Sequence, residues 1–136
     1  MTTTGKVTSA DPIQRIMAKR LVEIGPEESL RSVAQELVAD EIGAVLVRVP
    51  GGPVGLISER DLVTVLVGGG DFDTQQAADI MTADLVTAQC QDNIAFVGRL
   101  MLDAGVRHVV VHENDAVVGI VSIRDVLAVL LGTKDP

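Results

Sequence analysis

Apolar residues along this chain recur with two different periods, and the switches between them mark out the elements. Leu30, Val33, Ala34, Leu37 and Val38 follow three- and four-residue spacing, which predicts a helix opening at Ser29. After Gly43 the run Ala44-Val45-Leu46-Val47-Arg48-Val49 predicts a strand. Pro50-Gly51-Gly52-Pro53 is turn chemistry, and Val54 to Ile57 returns as the second strand of a hairpin. A helix follows from Glu59 to Val67 and stops at Gly68-Gly69-Gly70. Ahead of all these, Leu21-Val22-Glu23-Ile24 predicts a short strand closed by Gly25-Pro26. Before it, Asp11-Pro12 opens a short helix carrying Ile13, Ile16 and Met17. Met1 to Ala10 is rich in Thr, Ser and Gly and is expected to fray.

From Asp79 the pattern starts again. Ile80-Met81 matches Ile16-Met17, Leu85-Val86 matches Leu21-Val22, and the helix Asn93 to Ala104 matches Ser29 to Asp40. The strand His108 to His112 matches Ala44 to Arg48, with a turn now at Glu113-Asn114-Asp115. Gly119, Ser122, Asp125 and Val129-Leu130 match Gly55, Ser58, Asp61 and Val65-Leu66. All these pairs lie a constant 64 positions apart without a gap, and about a quarter of the aligned positions are identical. This is an internal duplication. The expected organisation is a flexible N-terminus (1–10), a first repeat (11–67), a linker (68–76), a second repeat (77–131) and a tail (132–136). Each β-α-β-β-α repeat alone would leave an apolar sheet face exposed, so the α/β fold expected is two repeats packed about a pseudo-two-fold axis.

Within each repeat, one stretch combines a strand end with a helix start: Gly55-Leu56-Ile57-Ser58-Glu59-Arg60-Asp61, and again Gly119-Ile120-Val121-Ser122-Ile123-Arg124-Asp125. Ser is placed to cap the helix, and Asp falls three residues on in the first turn. A helix start offers unpaired N–H groups and the positive end of the dipole, which favour an anionic group. An Asp fixed there accepts from hydroxyls, so Ser, Arg and Asp together suit a sugar bearing phosphate. The same spacing is also close to a capping box, which needs no ligand.

Composition narrows the choices. The apolar residues are almost all aliphatic, with no Trp or Tyr and only Phe72 and Phe96, so a nucleobase would lie against aliphatic walls and backbone. A net charge of −8 argues against nucleic-acid or anionic-membrane partners, which need a basic patch. The single cysteine, Cys90, excludes an internal disulfide and fits a reducing compartment. Met1 to Pro12 lacks the apolar core of a signal peptide and no apolar run reaches spanning length, so a cytoplasmic location is expected.

A gapless pair of β-α-β-β-α repeats, each ending Gly-apolar-apolar-Ser-x-x-Asp, resembles the cystathionine β-synthase (CBS) domain pair, or Bateman module, over roughly residues 12 to 131. The resemblance implies a pseudo-symmetric sandwich with two clefts for adenosine-containing ligands such as AMP, ADP, ATP or S-adenosylmethionine. It implies ribose contacts from Asp61 and Asp125, and Ser58 and Ser122 near ribose and phosphate. It also implies that the opposite repeat completes each cleft: Cys90, Ala95, Val106 and Arg107 for Asp61, and Pro26, Arg31, Ile42 and Gly43 for Asp125. A basic residue before the central strand reaches phosphate in this family, and that position is Arg107 in one repeat and Gly43 in the other. A guanidinium grips phosphate through paired charge-assisted hydrogen bonds, so the Asp61–Arg107 cleft is expected to be the stronger nucleotide site, with Arg31 and Arg124 partly compensating in the other. Arg60 and Arg124 are either phosphate contacts or solvated charges.

Other chemistry is weaker. His108 and His112 share a strand face but stand roughly 13 Å apart at 3.3 Å per residue, too far to share one metal ion. No nucleophile, base and orienter come together in the sequence, so no catalytic set is expected. The triple glycine follows a helix and lacks the Lys-Ser/Thr of a phosphate loop. Met17 and Met81 are expected in the core, Cys90 as a small packing residue, and Glu23, Glu27, Glu28, Glu36, Asp40 and Glu41 as a solvated acidic face. The sequence therefore points to a non-enzymatic regulatory module that senses an adenosyl ligand and signals to a downstream protein, dimerising through the helices Glu59–Val67 and Ile123–Leu131. The alternative is a dimerisation scaffold with vestigial clefts.

Overall fold

A computed structural model describes residues 6–40 and 42–132, so Glu41 of the acidic set and both chain ends lie outside the described residues. The chain forms two compact units. One holds Val22–Leu85, and the other joins the chain up to Leu21 to the chain from Val86 onward.

In the Val22–Leu85 unit, β1 (Glu23–Ile24) pairs parallel with β2 (Ala44–Arg48), and β2 pairs antiparallel with β3 (Val54–Ser58). The crossover between β1 and β2 is α1 (Leu30–Asp40), whose start is fixed by Ser29 Oγ accepting from the Ser32 N–H at 3.1 Å. The helix α2 (Glu59–Val67) leaves β3 directly. Leu30, Val33 and Leu37 of α1 close over Val45, Val47 and Ile57 of the sheet, with Leu62 of α2 completing a wholly aliphatic core. The β-branched residues suit the pleated surface, while Leu at three- and four-residue spacing suits the helix facing it.

The linker completes this unit. The short helix α3 (Ala77–Ile80) lies beside the sheet, and Thr82 bridges to Leu56 through two hydrogen bonds of 2.9 Å. Upstream, Leu30 N donates to Gln75 O, Arg31 N to Phe72 O, Ala77 N to Glu28 O and Ala78 N to Pro26 O. The first turn of α1 thus finds acceptors in the linker.

The other unit repeats the plan. β4 (Thr87–Gln89) pairs parallel with β5 (His108–Glu113), which pairs antiparallel with β6 (Ala116–Ser122). α4 (Ile94–Ala104) is capped by Asn93, and α5 (Ile123–Leu130) follows β6. The hairpin turns at Asn114, held at φ 57°, a left-handed conformation that Asn tolerates. Here the completing segment comes from the start of the chain. Ile13 and Ile16 are buried in this core, a 3₁₀ turn spans Ile13–Arg15, and Ala18 bridges to Ile120. Ile13 N donates to Asp92 O, Gln14 N to Cys90 O and Ile94 N to Asp11 O, which are the 64-residue equivalents of three linker bonds in the first unit.

The segment leading into each repeat therefore packs with the strands of the other repeat. Two details differ from the sequence reading. Packed chain begins ahead of Asp11, since Val7 is buried and Thr8 donates to the Asp11 carboxylate. The predicted helix at Ile13–Met17 is only a single 3₁₀ turn, because the chain must straighten to bridge at Ala18.

Candidate functional site

The chemistry-bearing residues gather at two equivalent strand-to-helix junctions. Ser58 has extended backbone (φ −103°, ψ 165°), and its Oγ accepts from the Asp61 N–H at 3.3 Å. The Asp61 carboxylate turns back: Oδ2 accepts from the Ser58 N–H at 2.7 Å and from the Ser58 hydroxyl at 3.0 Å. Ser122 and Asp125 reproduce the arrangement, with Oδ2 accepting at 3.2 Å from N–H and 2.9 Å from hydroxyl. Both junctions are thus true capping boxes. All four residues are half-buried, and Oδ2 of Asp61 carries both cap bonds while Oδ1 accepts from no described residue.

Hairpin register sets what stands next to each junction. Ala44 lies across from Ser58, and the Gly43 carbonyl accepts from the Glu59 N–H at 2.9 Å. In the other unit His108 lies across from Ser122, and the Arg107 carbonyl accepts from the Ile123 N–H at 2.8 Å. One helix start is therefore flanked within its own unit by Arg107 and half-buried His108, the other by Gly43 and Ala44. Sequence reasoning grouped Arg107 only with Asp61 and weighed His108 as a metal ligand. The antiparallel register, legible from the short hairpin turns, was the signal that places both beside the Ser122 start.

The remaining sequence-predicted residues divide between the units. With Ser58, Arg60 and Asp61 are Pro26, Arg31, Ile42 and Gly43; with Ser122, Arg124 and Asp125 are Cys90, Ala95, Val106 and Arg107. Arg60, Arg107 and Arg124 are exposed and make no ion pair with a described residue. Arg31 is different. Its guanidinium forms a bidentate pair with Asp73 of the linker, including Nη2 to Oδ2 at 3.0 Å, and this hydrogen bonding holds the Asp73 carboxyl below the usual range. The expected compensation by Arg31 would have to break that pair. Ala95 donates its N–H to Ser9 O, and Cys90 is buried, with its N–H on His112 O and its carbonyl accepting from Gln14. Both serve first to hold the lead-in segment.

The motif glycines have a packing role. A Cβ on Gly55 would fall 2.5 Å from Met81 Sδ, and one on Gly119 would fall 2.5 Å from Met17 Sδ. Each thioether lies against bare backbone, where only glycine leaves room. The methionines are partly buried against their cores, in keeping with the sequence reading.

A tandem-repeat α/β chain with two three-stranded sheets, each leading into an acidic helix start, defines the structural class. The CBS domain family matches the chain twice, at residues 13–68 and 77–132, and the chain belongs to that family. An uncharacterized protein of Methanopyrus kandleri is 34% identical over 117 residues, 83% of this chain and 60% of its own length. The chain thus spans somewhat under two thirds of that relative. Among solved structures, a CBS-domain-containing protein from Agrobacterium tumefaciens aligns with a TM-score of 0.81 at 31% identity, covering 96% of this chain and 98% of the other. A CBS domain protein from Pyrobaculum aerophilum, complexed with AMP, aligns at 0.78 with 26% identity, covering 90% and 97%. No helix among the described residues is long and apolar enough to cross a membrane.

Proposed function

We propose that this chain is a regulatory module that binds an adenosine-containing ligand, from the group AMP, ADP, ATP and S-adenosylmethionine, at its Ser-x-x-Asp helix starts. One observation carries the reading: Asp61 satisfies its own cap with a single oxygen, so the second remains to accept from a ribose hydroxyl. The complex of the Pyrobaculum relative with AMP supports the ligand class. The exposed guanidiniums of Arg107, Arg60 and Arg124 supply the phosphate contacts, Arg107 foremost, and Arg31 stays with Asp73. Ligand bound to one arrangement of the module favours that arrangement, and a downstream protein reads the shift.

Self-association belongs to the same reading. Val63, Leu66 and Val67 of α2 are exposed, and so are their equivalents Leu127 and Leu130 of α5 and Leu131 just after it, as are Val38 and Leu102. An apolar stripe that occurs twice at the duplication spacing fits a two-fold contact between copies. A second reading, a scaffold whose sites bind nothing, draws on the capping boxes, which satisfy Ser and Asp without a ligand.

A thermal-shift panel of AMP, ADP, ATP, S-adenosylmethionine and NAD tests the proposal, because a ligand bound only by folded protein raises its apparent stability. A positive hit should weaken about 10–100-fold in Arg107→Ala if phosphate is gripped by that side chain. Asp61→Asn and Asp125→Asn in calorimetry report which helix start is used. A flat panel at millimolar concentration, with self-association by sedimentation, establishes the scaffold instead.

A further inference from the structure

We propose that Met17 and Met81 are redox latches: oxidation of either thioether by a peroxide loosens the lead-in segment it holds against the strand before a Ser-x-x-Asp helix start. The two side chains occupy equivalent places in the two units. Each sulfur lies over a strand glycine, Gly119 or Gly55, where even a methyl group would fall 2.5 Å from it. The residue after each methionine makes the bridge that binds the segment to the strand. Ala18 N donates to Ile120 O at 2.8 Å and Ile120 N to Ala18 O at 3.3 Å, and Thr82 and Leu56 exchange bonds of 2.9 Å. Among the described residues no other backbone hydrogen bond ties Ala18 or Thr82 to its strand, so the bridge depends on the segment staying seated.

Exposure makes the sulfurs addressable. Met17 and Met81 are half-buried, open enough for a small peroxide, whereas Met101 is 1% exposed. Oxidation follows a two-electron course. A sulfur lone pair takes the terminal oxygen of the hydroperoxide, the O–O bond breaks, and the peroxide is reduced to water or an alcohol as the sulfoxide forms. The product is polar and larger than the thioether. Against a glycine Cα and a largely apolar core a polar oxygen is disfavoured, so the side chain swings outward and strains the bridge. The consequence reaches the functional site by the shortest path in the chain, because Gly55 and Gly119 each precede the capping serine by three residues. Sulfoxide reductases reverse the modification.

The test treats the intact protein with hydrogen peroxide and follows peptide masses and amide hydrogen exchange. Sulfoxide should accumulate at Met17 and Met81 well ahead of Met101. The amides of Ala18, Ile120, Leu56 and Thr82 should exchange about 5–30-fold faster and recover on treatment with sulfoxide reductase. In Met17→Leu/Met81→Leu the same peroxide should leave exchange unchanged. Wild-type protein alone also decides the matter: sulfoxide at both positions with unaltered exchange overturns the proposal, as does oxidation no faster than at Met101. Equal loosening in the double variant would overturn it too and assign the effect to Cys90.

Discussion

Replacing Gly119 by alanine separates a glycine kept for packing from one kept for a ligand. The new Cβ would lie 2.5 Å from Met17 Sδ, 2.8 Å from its Cγ and 3.0 Å from the Ala18 carbonyl oxygen. Ordinary contacts start near 3.5 Å, so the segment must retreat by roughly 1 Å. Overpacking of this kind costs about 1–3 kcal/mol. The carbonyl is also the acceptor for Ile120 N–H at 3.3 Å, and losing that bond adds about 0.5–1.5 kcal/mol. Alanine recovers about 0.5–1 kcal/mol of backbone entropy relative to glycine, which leaves a net loss of about 0.5–4 kcal/mol. At Gly55 the three nearest atoms all belong to the Met81 side chain, whose Sδ and Cγ can turn aside although its Cβ at 3.0 Å cannot, and no backbone acceptor is among them, so Gly55→Ala should cost less, about 0.5–2 kcal/mol. Urea denaturation measures both, read as a shift of midpoint at constant slope. A Met17→Ala background gives the decisive control. With the thioether gone, Gly119→Ala should become cheaper by about 0.5–2 kcal/mol, the coupling expected of touching residues. If Gly119→Ala is neutral, or costs as much without Met17 as with it, the glycine is not kept for the lead-in segment.

Two further outcomes follow from the same architecture. Ile13 is fully buried among residues of the second repeat, so Ile13→Ala should cost about 2–5 kcal/mol. Hydrogen exchange should show the loss in β4–β6 and α4 before it shows in residues Val22–Leu85; the reverse order would refute the exchange of lead-in segments. The second concerns acid. Hydrogen bonding from Arg48 lowers the Glu23 pKa below 4.5, and hydrogen bonding from Arg31 lowers that of Asp73 below 3.8. A carboxyl with a lowered folded-state pKa contributes stability that is present above its unfolded value and lost as pH falls through the folded one. Arg31→Ala/Arg48→Ala should therefore lower stability slightly at neutral pH and flatten the loss of melting temperature below pH 4.5 by the same small amount, since both pairs are exposed and screened by solvent. An acid limb as steep as in the parent protein would contradict this.

Local structure was largely legible in the sequence because local rules decide it. The helix Glu59–Val67 starts and stops where Ser58 and the triple glycine place its ends, and Asn93 caps α4 as its position suggested. The duplication carried the hairpin of the first repeat to the second, while the parallel pairing of the short first strand came from the structure. What period and capping could not give was partner choice over long range. Both cores are built mostly from aliphatic residues, so nothing in the spacing of Ile13 and Ile16 names the repeat that buries them. The partner of Arg31 was out of reach for a related reason: nothing in the spacing joins a helix-start arginine to Asp73, a carboxylate distant in sequence. The neighbours of the helix starts were within reach. Antiparallel pairing of Ala44 with Ser58 and of His108 with Ser122 follows from short hairpin turns, and it carries Gly43 and Arg107 to opposite versions of the same corner.

That corner also resolves an apparent conflict between stability and binding. A capping box and a ribose site call for the same residues, so the presence of one has been an argument against the other. The geometry removes the competition for Asp61. A carboxylate has about four acceptor positions on two oxygens, and the cap draws on Oδ2 alone. The cap then does for the site what a binding group needs: it fixes the carboxylate in one orientation before any ligand arrives, so less conformational freedom is lost on binding. The serine hydroxyl donates to Asp61 Oδ2 and accepts from Asp61 N–H, which uses its one donor and leaves one acceptor position on its oxygen. Stability and recognition thus divide one motif by atom. An aspartate at the third position is not by itself a mark of binding, since Asp79 closes the cap of α3 in the same way; what the proposed ribose contact rests on is the second oxygen of Asp61.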